Sequence, residues 1–289
     1  AVYFWHDKRK YYMKENFKKR KSIIIFYLFG ILTFLTILTI KFYTRPKQNF
    51  TFDAAYYWTI NQYQDKLWLY EELPSGHKYH LYLPEKFKND KNNEQAKLPL
   101  IVVFHGSDEK GKALSKYGRI FLDKKFQSKI NPNGAAVLVI LSRINYFTDT
   151  ASTSLLIQNI CLKNKCIDKS NIIGYGFSQG AKFVVELACH DPSLFRGVAS
   201  GSGFYQIKLK ELLKVLPIQF YSAISKNDKG IYEQGHKTGK LCSFFCKNSR
   251  YVEYKNRWHF WIELNDKTGK KNRDGSEETF LDWIVKVAQ

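Results

Sequence analysis

Three uninterrupted apolar runs mark the middle of the chain: Leu98-Pro-Leu-Ile-Val-Val-Phe104, Ala135-Ala-Val-Leu-Val-Ile-Leu141 and Asn171-Ile-Ile-Gly-Tyr-Gly-Phe177. Runs of strand length without polar alternation suit strands covered on both faces, as in a parallel sheet flanked by helices. Amphipathic stretches at residues 152–164 and 181–190 predict two of those helices, and further strands are expected at 197–200, 218–224 and 250–255. Residues 276–288 predict a closing helix. Ser276 precedes acids in the first turn, and Phe280, Trp283, Ile284 and Val287 recur at helical spacing. Upstream, Lys66-Leu-Trp-Leu-Tyr and His77-Lys-Tyr-His-Leu-Tyr-Leu alternate around Leu73-Pro-Ser-Gly76, a hairpin signature, and the polar residues 86–97 form a loop. A β-rich start followed by alternating β and α segments predicts a doubly wound, mostly parallel α/β sheet, and no internal repeat interrupts it.

Residues 22–40 break this pattern. They carry no charge, and at about 1.5 Å per helical residue they nearly match a bilayer core of roughly 30 Å. Thr33, Thr36 and Thr39 can return their hydroxyls to the helix backbone. Lys8, Arg9, Lys10, Lys14, Lys18, Lys19, Arg20 and Lys21 precede the segment, whereas only Lys41, Arg45 and Lys47 follow it closely. The positive-inside bias therefore places the N-terminus in the cytoplasm and the remainder outside, periplasmic or extracellular. A cleaved signal peptide is the rival, but Thr44-Arg45-Pro46-Lys47 offers no small-x-small cleavage site, so an uncleaved anchor is favoured. The expected organisation is a basic tail (1–21), a transmembrane anchor (22–40), a tether (41–60) and a catalytic domain (61–289). Met13 is the sole methionine and opens a complete export signal, which leaves residues 1–12 open as sequence upstream of the native start.

At 289 residues and 44% hydrophobic composition, one large core is accessible. The net charge of +20 raises nucleic acid or an anionic membrane as partners. Distribution weakens the first. Eleven basic residues and two acids fall in residues 1–47, while the other 35 basic and 24 acidic residues are spread without a dense run. Neither zinc-ligand spacing nor an aromatic-basic RNA-binding strand is present, so no nucleic-acid partner is expected.

The chemistry lies after the third apolar run. Gly176-Phe177-Ser178-Gln179-Gly180 is a G-x-S-x-G pentapeptide between a predicted strand and a predicted helix, the context of a nucleophile elbow. A serine hydroxyl needs a general base, and the base needs an orienting carboxylate. Ser225-Lys-Asn-Asp228 places an acid just past the strand at 218–224, and Asn256-Arg-Trp-His259 places a histidine just past the strand at 250–255. Both are positions where open α/β sheets carry functional loops. Glu263 or Asp266 could substitute for Asp228, and His236 is the rival of His259, although it sits in a glycine-rich stretch with no strand leading into it. An oxyanion needs two donors: the backbone N–H of Gln179, and that of Ser107 in the His105-Gly106-Ser107 corner. His105 itself is expected to be structural. Trp258, Phe260 and Trp261 hint at an apolar or aromatic acyl group.

Four stretches resemble the exported esterases that include polyhydroxybutyrate depolymerases, feruloyl esterases and acetylxylan esterases. They are His80-Leu-Tyr-Leu-Pro with 98–106; Cys166-Ile-Asp through the pentapeptide to Leu187-Ala-Cys189; the loop 225–228; and Trp258-His259-Phe-Trp261. The resemblance spans most of residues 79–289 and implies an α/β-hydrolase fold with Ser178, Asp228 and His259 as triad. The chain departs from the family's glycine-glycine-histidine lead and from its Trp-Pro pair after the histidine. With an exported domain disulfides are permitted. Cys166 and Cys189 lie at one end of a β-α unit and resemble a family pair, so a bridge between them is expected; Cys242 and Cys246 could pair locally, leaving Cys161 free. No cofactor and no metal are expected, since no histidine or acid cluster accompanies the cysteines.

The expected function is hydrolysis of a small or polymeric carboxylic ester through an acyl-enzyme. The same triad could serve acyl transfer or peptide cleavage. A catalytically inactive, membrane-anchored binding domain is the non-enzymatic alternative.

Overall fold

The computed structural model describes residues 27, 28, 30–36, 69–72, 78–107, 109–110, 113–255, 258–259, 278 and 280–289. The chain divides into two units, Ala1–Pro46 and Lys47–Gln289. In the first, the described part of the expected anchor is helical and exposed, with the Thr36 hydroxyl donating to Leu32 O at 2.8 Å. Among the described residues no helix is long and apolar enough to cross a membrane.

The second unit is built on one sheet. Its strands are β1 (Leu69–Glu72), β2 (Lys78–Tyr82), β3 (Leu98–Phe104), β4 (Ala136–Leu141), β5 (Ile167–Phe177), β6 (Gly197–Gly201), β7 (Gln219–Ser225) and β8 (Arg250–Tyr254), in spatial order β1-β2-β4-β3-β5-β6-β7-β8. β2 pairs antiparallel with β1 and β4; every pairing from β4 through β8 is parallel. The helices are α1 (Lys124–Ile130), α2 (Thr150–Lys163), α3 (Gln179–His190), α4 (Leu209–Val215), α5 (Tyr232–Phe245) and α6 (Phe280–Ala288).

Strand β3 explains why its run is apolar throughout. Leu98, Leu100, Val102 and Phe104 enter the core on one face with Phe183, Val184 and Leu187 of α3, while Ile101 and Val103 enter the core on the other with Trp283 and Ile284 of α6. Successive side chains point to opposite faces, so a strand covered on both sides has no solvent position for a polar residue. Asp149 starts α2 by accepting from Ser152 N at 2.9 Å, and Asp123 starts α1 by accepting from Lys125 N at 2.8 Å and Phe126 N at 3.0 Å. Helices α1, α4 and α5 go beyond the sequence expectation. The first two are only seven residues long, and α5 contains Gly235 and Gly239, which obscured its periodicity.

The cysteines correct an expectation. Cys161, Cys166, Cys189, Cys242 and Cys246 are all buried free thiols. Cys166 enters β5 with its N–H donating to Lys91 O at 2.9 Å, and Cys189 sits near the end of α3 within the field of Glu186, Glu211 and Lys214. Cys242 and Cys246 are adjacent at the end of α5 and hydrogen-bond as thiols instead of bridging, and the Cys246 thiol also donates to Val215 O at 3.6 Å. Burial, with Asp168 nearby, pushes the Cys161 thiol up to about 12, and burial with Glu211 and Glu186 does the same for Cys189.

Candidate active site

Strand β5 ends at Phe177, α3 begins at Gln179, and Ser178 is the single residue that turns the chain between them. Its backbone lies at φ 54° and ψ −115°, a conformation that stores strain in any non-glycine residue. Two glycines permit the turn. A Cβ on Gly176 would collide with the carbonyl of Gly180, and one on Gly180 would collide with the carbonyls of Phe104 and His105 at the end of β3. The turn is pinned from behind, where Ser178 N donates to Gly201 O at 2.8 Å.

The structure brings three of the sequence candidates together. His259 Nε2 lies 2.7 Å from Ser178 Oγ, and His259 Nδ1 lies 2.8 Å from Asp228 Oδ2. Ser178 and Asp228 are nearly buried, whereas the His259 side chain is 44% exposed. The Phe177 ring backs the imidazole at 5.2 Å between centroids. Asp228 sits in the turn after β7, with its N–H donating to Ser225 O and its carbonyl accepting from Tyr232 N at 2.9 Å. The neighbouring Asn227 Oδ1 accepts from Trp258 N at 2.8 Å and from Ser225 Oγ at 2.6 Å, which joins the acid loop to the histidine loop. That contact was invisible in the sequence, where Asn227 reads as an ordinary turn residue.

Gln179 is the first residue of α3, and its Nε2 donates to Phe147 O at 2.8 Å, tying the loop after β4 to the turn. Ser107 is half-buried in the loop that leaves the Gly180 contact. His105 is fully buried, accepts from Ser142 N at Nε2 (3.1 Å) and therefore carries its proton on Nδ1, which donates to Gly106 O at 2.6 Å. Burial holds this imidazole below its usual range. It braces the loop and is not free for proton transfer. Glu109 closes the same loop, accepting from the Tyr117 hydroxyl and pairing with Lys116 at 2.7 Å; Tyr117 in turn stacks on Phe177. Trp258 is two-thirds exposed at φ 52°. Phe260, Trp261, Glu263 and Asp266 lie outside the described residues. Among the described residues no group of histidine, cysteine and acidic side chains is arranged to hold a metal ion.

His236, the rival base, is part of a separate cluster. Its Nδ1 lies 3.1 Å from Oε2 of Glu253, which also accepts from Tyr232 (2.8 Å) and Tyr251 (2.9 Å), and Lys226 Nζ lies 3.4 Å from Oε1. Glu253 is buried on β8 and escaped the sequence reading; an acid between apolar and aromatic residues of a predicted strand, Tyr251-Val-Glu-Tyr254, was the available signal. Burial by itself pushes this carboxyl up, but the hydrogen bonds from His236, Tyr232 and Tyr251 and the charge of Lys226 outweigh it and hold the carboxyl far below the usual range. Unfolded glutamate titrates near about 4.3. The folded value lies lower, so the stabilisation is present at neutral pH and is lost as pH falls below that point. On acidification from about pH 6 to about pH 3 the melting temperature of the native chain should therefore drop more steeply than that of Glu253→Gln, measured by circular dichroism. Parallel pH dependences would contradict this.

The strand order, with one antiparallel strand leading into a parallel sheet, and the strained serine between β5 and α3 define an α/β-hydrolase fold. Solved structures share it. A thermostable esterase superposes with a TM-score of 0.52 at 17% identity, covering 78% of this chain and 61% of its own, so the chain spans less than two thirds of that relative's length. A ferulic acid esterase superposes with a TM-score of 0.52 at 11% identity, covering 68% of this chain and 91% of its own. No protein-family model matches the chain, and no curated protein sequence matches it.

Proposed function

We propose that the protein is a serine hydrolase of carboxylic esters. One observation carries this: a strained serine whose Oγ is 2.7 Å from an imidazole that is itself held 2.8 Å from a carboxylate. Ser178 attacks the ester carbonyl while His259 Nε2 takes its proton, and Asp228 keeps the other ring proton on Nδ1 and stabilises the imidazolium. The N–H groups of Gln179 and Ser107 receive the oxyanion; the close approach of Gly180 to the end of β3 is what sets the two loops side by side. His259 returns the proton to the leaving alcohol, and water cleaves the acyl-enzyme by the same relay. That two solved structures with this fold are esterases supports an ester over an amide substrate.

The four stretches shared with polyhydroxybutyrate depolymerases, feruloyl esterases and acetylxylan esterases suggest a substrate of that kind, and the exposed Trp258 beside His259 suits an apolar or aromatic acyl group. Residues 22–40 are proposed to tether the domain on the outer face of a membrane. A fluorophosphonate probe tests the central reading. The intact chain should be labelled stoichiometrically, with the adduct mapped by mass spectrometry to Ser178; a folded chain that stays unlabelled, or labels elsewhere, overturns it.

A further inference from the structure

We infer that Glu253 is a positioning residue that holds the loop carrying Asp228 against His259; this rests on the triad proposed above. Its carboxylate collects groups from three segments: Tyr232 and His236 of α5, Tyr251 of β8 and Lys226 of the turn after β7. Lys226 and Tyr232 bracket Asp228. On one side Lys226 N donates to Tyr254 O at 2.9 Å while its ammonium reaches Glu253; on the other, Tyr232 N and Ile231 N donate to Asp228 O while the Tyr232 hydroxyl reaches Glu253. One buried carboxylate therefore grips both ends of the loop. It does so from β8, the strand that leads within six residues to His259. The protons inside the cluster are shared as well, with His236 Nδ1 2.7 Å from the Tyr251 hydroxyl and 3.1 Å from that of Tyr232.

A general stabilising role explains this arrangement poorly. A buried charge is expensive to desolvate, and an apolar side chain of similar volume usually stabilises a strand as well or better. What the carboxylate adds is directional: several donors fixed by one acceptor, so that α5, β8 and the acid loop keep one mutual geometry. Asp228 must meet Nδ1 within hydrogen-bonding reach to select the tautomer that leaves Nε2 free to accept the serine proton, and a displacement of about 1 Å is enough to lose a large part of the rate.

The experiment uses the full chain, Glu253→Gln and, in case that variant does not fold, Lys226→Met and Tyr232→Phe, each of which removes one grip. The ring nitrogens of His259 are observed by NMR through the carbon-bound ring protons, which reports the tautomer without any substrate. The native chain should hold His259 with its proton on Nδ1, and the variants should shift it toward the Nε2 form; kcat on a p-nitrophenyl ester should fall about tenfold or more in Glu253→Gln with KM little changed. Retention of the native tautomer in folded variants overturns the inference, as does a native chain that lacks the Nδ1 form. A native chain with that tautomer but without turnover dependent on Ser178 would instead remove the hydrolase reading and leave the tautomer comparison decisive for Glu253.

Discussion

Replacing Ser178 by alanine should reduce ester turnover by roughly 10⁴- to 10⁶-fold while the protein still folds. In the proposed mechanism the alcohol is the attacking atom, and neither His259 nor Asp228 replaces it, because without Oγ the relay has no nucleophile to deprotonate; what would remain is binding and the proposed oxyanion donors. Alanine keeps the strain at φ 54°, so its melting temperature should stay near that of the native chain. Ser178→Gly should lose the same activity and melt higher, since the strain of a non-glycine residue in this conformation, about 1–3 kcal/mol, outweighs the entropy that glycine adds to the unfolded chain, about 0.4–1 kcal/mol. Steady-state kinetics with p-nitrophenyl esters, beside calorimetric melts, read both effects. Equal turnover in the alanine variant would place the nucleophile elsewhere, and a glycine variant that melts lower would mean the strain is not stored at this residue.

A single added methyl group at Gly180 should give the next largest loss. Its Cβ would strike the carbonyls of Phe104 and His105, which are backbone atoms with no rotamer to escape through, so either α3 or the loop after β3 must move. The loop is the softer of the two, because α3 is packed through Phe183, Val184 and Leu187 against the sheet. Its displacement carries Ser107 away from Gln179 and opens the proposed oxyanion site, where losing one donor costs about 10²- to 10³-fold in kcat. Overpacking adds about 1–3 kcal/mol of destabilisation. Gly180→Ala should therefore lower kcat by about 10² or more, and still react slowly with a fluorophosphonate at Ser178 because the serine and imidazole remain in place. A variant with native kcat would separate the Gly180 contact from catalysis.

The two effects share an origin. The serine is strained and the glycines are crowded because a strand, a helix and a neighbouring loop converge within one residue of Ser178. The His259 side chain stays partly open to solvent although its two partners are buried.

Much of this was written in the sequence. Apolar runs without alternation could be satisfied only between two covering layers, which determined a parallel sheet and most of its strands. The pentapeptide between one such strand and an amphipathic helix, together with an acid and a histidine after later strands, pointed to Ser178, Asp228 and His259, with Glu263, Asp266 and His236 left as rivals. The tertiary structure decided what depends on distance in space. It separated His236 from His259, because α5 carries the former to Glu253 while the loop after β8 carries the latter to Ser178. It also left the five cysteines as free, buried thiols. And it made Glu253, an unremarked strand residue, the meeting point of four side chains. Periodicity encodes which face of an element is buried; it carries no information about which polar atoms meet there, because those pairs are set by strand order and register between residues far apart in the chain.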